Sequence, residues 1–91
     1  MTKFDKIISE VSEELDHARR KFPNWPQDMI HGAAIVVEEA GELQRASLQA
    51  TYEHGHRMEA RREAIHTAAM AIRFLLAFDK MENPHAEQFT V

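Results

Sequence analysis

Three carboxylates stand in an otherwise apolar run, Val36-Val37-Glu38-Glu39-Ala40-Gly41-Glu42-Leu43, and Glu63-Ala64-Ile65-His66 supplies a second pair of candidate ligands downstream. At roughly 100° per residue, Glu38 and Glu42 project from almost the same line of a helix, with Glu39 one step around, so all three are expected to point at one spot. Their helical neighbours do not neutralise them. Ala34, Ile35, Leu43 and Ala46 occupy the i±4 positions, and only Arg45 stands three residues from Glu42. Like charges at i, i+4 cost a helix about 0.2–0.5 kcal/mol per pair, and a bound cation would turn that cost into a use. Magnesium prefers oxygen ligands and is usually held by a few carboxylates together with substrate phosphates. Glu38, Glu39, Glu42 and Glu63 have that chemistry; an acidic, solvated helix face is the competing explanation.

Helices must position these groups. From Phe4 the apolar residues Ile7, Ile8, Val11, Leu15 and Ala18 keep a helical period to about Lys21, after Thr2 and Asp5 in a capping arrangement. Phe22-Pro23-Asn24-Trp25-Pro26 breaks it, because proline lacks an N–H and biases its predecessor away from helix. A second helix is expected from Gln27 or Asp28 to about Thr51, with Asp28 suited to the positive end of the helix dipole. Glu53-His54-Gly55-His56 is the next linker, and a third helix spans about Arg57 to Lys80, ended by Asn83-Pro84. No segment alternates as a strand does, so the expected fold class is all-α. Helices two and three, about 24 residues or ~36 Å each, form an antiparallel hairpin carrying both acidic segments. With the N-terminal helix, the hairpin is expected to complete a four-helix-bundle-like core by oligomerisation, as a homodimer or homotetramer.

The 91 residues suit one domain, 1–91, with 84–91 as a tail. A net charge of −4 argues against a nucleic-acid-coating role, and the absence of cysteine excludes disulfides and thiolate chemistry. No apolar stretch approaches the ~20 residues of a membrane span and the N-terminus has no apolar signal core, so a cytoplasmic protein with neither membrane nor nucleic-acid partner is expected.

Glu38-Glu39-Ala40-Gly41-Glu42 followed by Glu63-Ala64-Ile65-His66 resembles the hallmark of the all-α nucleoside-triphosphate pyrophosphohydrolases of the MazG-like and dimeric dUTPase type, E-E-x-x-E and then E-x-x-D. Trp25-Pro26-Gln27 and His31 are similar to the lead-in of some small MazG-like proteins, and the resemblance covers about residues 22–80. It implies hydrolysis of a nucleoside triphosphate between its α- and β-phosphates, giving a nucleoside monophosphate and pyrophosphate. It also implies Mg²⁺, with Mn²⁺ as the alternative, held by Glu38, Glu39, Glu42 and Glu63. His66 departs from the pattern, since the family carries Asp there, and Arg73 stands where members often carry Asn. Imidazole suits Mn²⁺, Zn²⁺ or Fe better than Mg²⁺. His66 therefore implies a changed metal preference, a phosphate ligand or base, or loss of activity.

Four further residues are candidates for substrate binding. Arg73 could grip a phosphate bidentately or pair with a carboxylate. Trp25 could stack on a nucleobase or cap the bundle core. His31, seven residues before Glu38, faces approximately as the acidic cluster does, and Lys80 either meets phosphate or complements the helix dipole. Two other functions stay open. Glu63-x-x-His66 has the spacing of carboxylate-bridged di-iron bundles, and a catalytically degenerate, nucleotide-binding oligomer would also fit.

Overall fold

The computed structural model describes residues 1–81, which form three helices and no strand: α1 (Lys3–Lys21), α2 (Met29–Tyr52) and α3 (Arg57–Lys80). The expected end of α3 at Asn83-Pro84 and the tail 84–91 lie outside the described residues. Each helix starts where a side chain satisfies its first free N–H groups. Thr2 Oγ1 accepts from the Asp5 N–H at 3.1 Å while Asp5 Oδ2 accepts from the Thr2 N–H at 3.2 Å, a reciprocal box built with Asp in place of Glu. Asp28 does not begin α2 but caps it, accepting from the His31 N–H at 2.9 Å. His56 caps α3 through Nδ1, which accepts from the Met58 N–H at 3.1 Å. None of these helices is long and apolar enough to cross a membrane.

α3 is the central element. It packs on α2 and on α1, whereas α1 and α2 do not pack on each other. Gly32 lies against Phe74 and Glu39 near Glu63, so α2 and α3 are antiparallel, as the short linker requires. Arg61 Nη1 meets Glu10 Oε2 at 2.6 Å and Arg73 Nη2 donates to the Phe22 carbonyl at 2.7 Å. Both pairs are 51 residues apart in sequence, so α1 and α3 run in the same direction with a constant register. α1 and α2 thus flank α3 without packing on each other.

The core is thin and built from small side chains. Val11, Ala18, Ala46 and Ala69 are its buried apolar residues, and no large side chain is fully buried among the described residues. Ala69 is 0% exposed. In contrast, Ile30 (81% exposed), Val37 (69%), Leu48 and Tyr52 stand in solvent. At 100° per residue these four and Gly41 share one side of α2, opposite Gly32, Glu39 and Ala46, which face the rest of the chain. α2 therefore carries one apolar stripe inward and a second outward.

Candidate metal centre

Glu39, on the inward side of α2, and Glu63 and His66, one turn apart on α3, each offer a ligand atom, and these atoms all lie within 4.8 Å of one another. The two α3 residues converge because positions i and i+3 are neighbours on a helix surface. Glu39 joins them because Gly32, Glu39 and Ala46, spaced by seven, form the face that meets α3. All three side chains are half-buried. Burial, followed by the nearby Glu63, raises the Glu39 carboxyl above its ordinary range; Glu38 and Glu42 add to the effect and His66 opposes it. Two carboxylates crowded at a partly dry site are the electrostatic environment a divalent cation relieves, so the donor set fits one.

The helix α1 contributes as well. His66 stands between two carboxylates, with Nδ1 3.6 Å from Glu63 Oε2 and Nε2 3.5 Å from Glu14 Oε1. Glu14 in turn lies 3.4 Å from His17 Nδ1. At 3.5–3.6 Å the two contacts bring His66 within reach of both carboxylates but are long for hydrogen bonds. The cluster opens on a groove of ≈ 930 Å³ between α1 and α3, lined among others by Glu10, Glu14, Lys21, Glu39, His66 and Arg73. Glu14 and His17 were not among the sequence candidates. Their spacing with Glu10 and Lys21 puts them on one polar face of α1, but such a face is ordinary for a surface helix until a partner is seen across it.

The other candidates are distributed unevenly. Glu38 is exposed, one residue step from the inward face, and Glu42 pairs with Arg45 at 3.1 Å. Neither joins the cluster, so the three glutamates do not meet at one spot. His31 is exposed and engaged with Asp28 at 2.7 Å, outside the groove. Trp25 packs its indole beside Gly32, where an added Cβ would stand 3.1 Å from Nε1, and the Arg73 guanidinium lies 4.9 Å from its ring centre. Its Nε1 is buried without a hydrogen-bond partner. Trp25 is thus held by its own chain. With Lys80, Ala77 and Met81 it borders a separate hollow of ≈ 320 Å³ rather than the groove.

Arg73 does line the groove. It is only 7% exposed, and its Nη2 donates to the Phe22 carbonyl left free at the end of α1. Burial, then the neighbouring Arg19, lowers its affinity for the proton below that of an ordinary arginine. Among the described residues no carboxylate forms an ion pair with it.

No protein-family model matches the chain, and neither a curated protein nor a solved structure is significantly similar to it.

Proposed function

We propose that this chain is a metal-dependent nucleoside-triphosphate pyrophosphohydrolase. The observation that carries this reading is the convergence of Glu39, Glu63 and His66 from two helices onto one half-buried point beside a groove. The motif resemblance supplies the reaction class. A divalent cation bound there would neutralise the phosphates and lower the pKa of the attacking water. Glu39 and Glu63 would supply the anionic ligands, and His66, flanked by Glu63 and Glu14, the neutral one. Water attacks the α-phosphorus, the bond to the bridging oxygen breaks, pyrophosphate leaves, and the released proton passes to a carboxylate lining the groove. The oxygen, oxygen and nitrogen donor set suits Mn²⁺ better than Mg²⁺. The direct test is pyrophosphate release from a panel of ribo- and deoxynucleoside triphosphates with each metal. Turnover with a base preference is expected, and no release from any nucleotide rejects the reading.

His66→Asp restores a hard anionic ligand, so activity with Mg²⁺ should rise relative to Mn²⁺. The ratio of the two rates reads this directly, and an unchanged ratio removes His66 from the ligand set. The di-iron alternative needs a second Glu-x-x-His pair at the same centre. Glu14 of the same chain already occupies the flank of His66 away from Glu63, which weighs against it.

The outward stripe of α2 supports assembly of the functional unit as a homodimer or homotetramer, with Ile30, Val37, Gly41, Leu48 and Tyr52 against a second copy. Contiguous exposed apolar faces are where protein–protein contacts form. Gly41 has nothing within 4 Å of an added Cβ in the single chain, so Gly41→Ala would gain about 0.5–1 kcal/mol of helix stability in a monomer. In a close helix pair the same methyl group weakens association. Sedimentation of both proteins should show an oligomer that Gly41→Ala loosens; a monomer at micromolar concentration that Gly41→Ala stabilises contradicts the assembly.

A further inference from the structure

We propose that Arg73, with Lys21 lining the same groove, forms an anion-receiving end that takes the terminal phosphates of the substrate, making the polyphosphate tail a recognised feature. The assignment rests on the pyrophosphohydrolase reading for its substrate, but its physical basis is separate from the metal cluster. Arg73 is a buried cation, and buried charges are normally paired. Its one hydrogen-bond partner is neutral, the Phe22 carbonyl at 2.7 Å. A guanidinium presents five N–H donors. Among the described residues Trp25 Nε1 is the one buried side-chain nitrogen or oxygen lacking a partner, so the remaining Arg73 donors are not sealed off, and the residue borders the groove. A largely buried guanidinium that stacks on Trp25, keeps donors open to the groove and has no carboxylate beside it among the described residues can receive an oxyanion.

The second cation strengthens the case. Lys21 also borders the groove, with its ammonium 5.4 Å from the centre of the Phe22 ring, so both positive side chains gather around Phe22. Arg73 lies seven residues beyond His66 on α3, about 10 Å along the helix axis. The groove therefore has an acidic middle, with Arg61 and Arg62 engaged by Glu10 and Glu59 toward one end and Arg73 free of any carboxylate partner among the described residues toward the other. A substrate whose reacting phosphate sits at the carboxylates and whose further phosphates extend toward Phe22 meets each charge with its complement. At the Arg73 end the charge that develops on departing pyrophosphate is stabilised without the cation at the cluster.

Trp25 is the one tryptophan of the chain, and its ring lies 4.9 Å from the Arg73 guanidinium. Its emission therefore reports on what Arg73 binds. The test is titration of inorganic pyrophosphate into the full chain in chelator, followed by Trp25 fluorescence and by calorimetry. Saturable binding is expected, tighter than that of inorganic phosphate. Arg73→Gln should weaken it about 10–100-fold, the worth of charged hydrogen bonds, and Arg73→Lys should weaken it less, with unchanged helical circular dichroism. Should Arg73→Gln fail to fold, Lys21→Gln at an exposed position takes its place, and a clear loss of pyrophosphate affinity is again expected. Wild-type protein silent to pyrophosphate by both probes overturns the inference, as does wild-type affinity in the folded variants. Binding without turnover of any nucleotide rejects the hydrolase reading and keeps the anion site, whereas turnover with pyrophosphate binding indifferent to Arg73 and Lys21 does the reverse.

Discussion

If the chain is the proposed pyrophosphohydrolase, glutamine at position 39 or 63 is expected to lower divalent-dependent pyrophosphate release by about 10²–10³-fold or more, whereas Glu38→Gln is expected to leave it nearly intact. The magnitude follows from losing an anionic ligand whose cation contributes several kcal/mol to the transition state. The contrast follows from placement, since Glu39 and Glu63 share the cluster and Glu38 is exposed outside it. Without metal, the same Glu39→Gln substitution should be stabilising. The Glu39 carboxyl is raised above 4.5 by burial and by Glu63, so the folded chain binds a proton there more tightly than the unfolded chain. Stability at this position is therefore fully present below the unfolded value and lost as pH rises through the raised one. At neutral pH the charged carboxylate opposes folding, and glutamine removes that penalty. Metal-free melting at pH 7 should place the variant above wild type, with the gap closing as pH falls through the carboxylate range. The sign of the difference in midpoint is what the measurement reads. Added Mn²⁺ should raise the wild-type midpoint and leave the variant's unchanged. Full turnover in both Glu39→Gln and Glu63→Gln would reject the centre.

Substitution of Gly55 by valine is expected to cost about 1–3 kcal/mol, the penalty of forcing atoms into a filled space. An added Cβ would stand 2.9 Å from the Gln49 carbonyl carbon and 3.1 Å from the Ala50 nitrogen, and backbone atoms inside a helix cannot retreat as a flexible side chain can. The Gly55 N–H donates to the Gln49 carbonyl at 2.8 Å, folding the chain back over the end of α2, while His54 takes the left-handed conformation at φ 64°. This corner sets the register in which Glu39 meets Glu63. With a core of mostly small residues there is little stability to spare, so a loss of this size is a large fraction of the total. Thermal unfolding should show the drop, and the metal-induced rise in Tm should shrink with it. A wild-type midpoint in Gly55→Val would mean that the α2–α3 corner follows another path.

The three helices were legible in the sequence almost to the residue. Thr2, Asp28, Pro23 and Pro26 act on the backbone within one turn of themselves, and the apolar period from Phe4 to Ala18 is a local pattern. The closeness of Glu63 and His66 was equally legible, because helix geometry alone makes i and i+3 neighbours. The selection of Glu39 from three glutamates was not. It depends on which side of α2 turns to α3, and α2 has apolar residues on both sides, so its periodicity does not choose between them. Trp25 illustrates the same limit from the other direction: its type suits base stacking, yet Gly32 and Arg73 occupy its surroundings. The charges of Glu14, His17 and Arg73 are written in the chain, but their meaning comes from α1 running alongside α3, which joins residues some fifty positions apart. The sequence by itself determined the helices, their caps and the acidic segments, because those rest on interactions between near neighbours. Only the tertiary structure decided which carboxylates converge and which cation lies buried without a counter-charge, because rotation of one helix against another is settled by packing between distant segments.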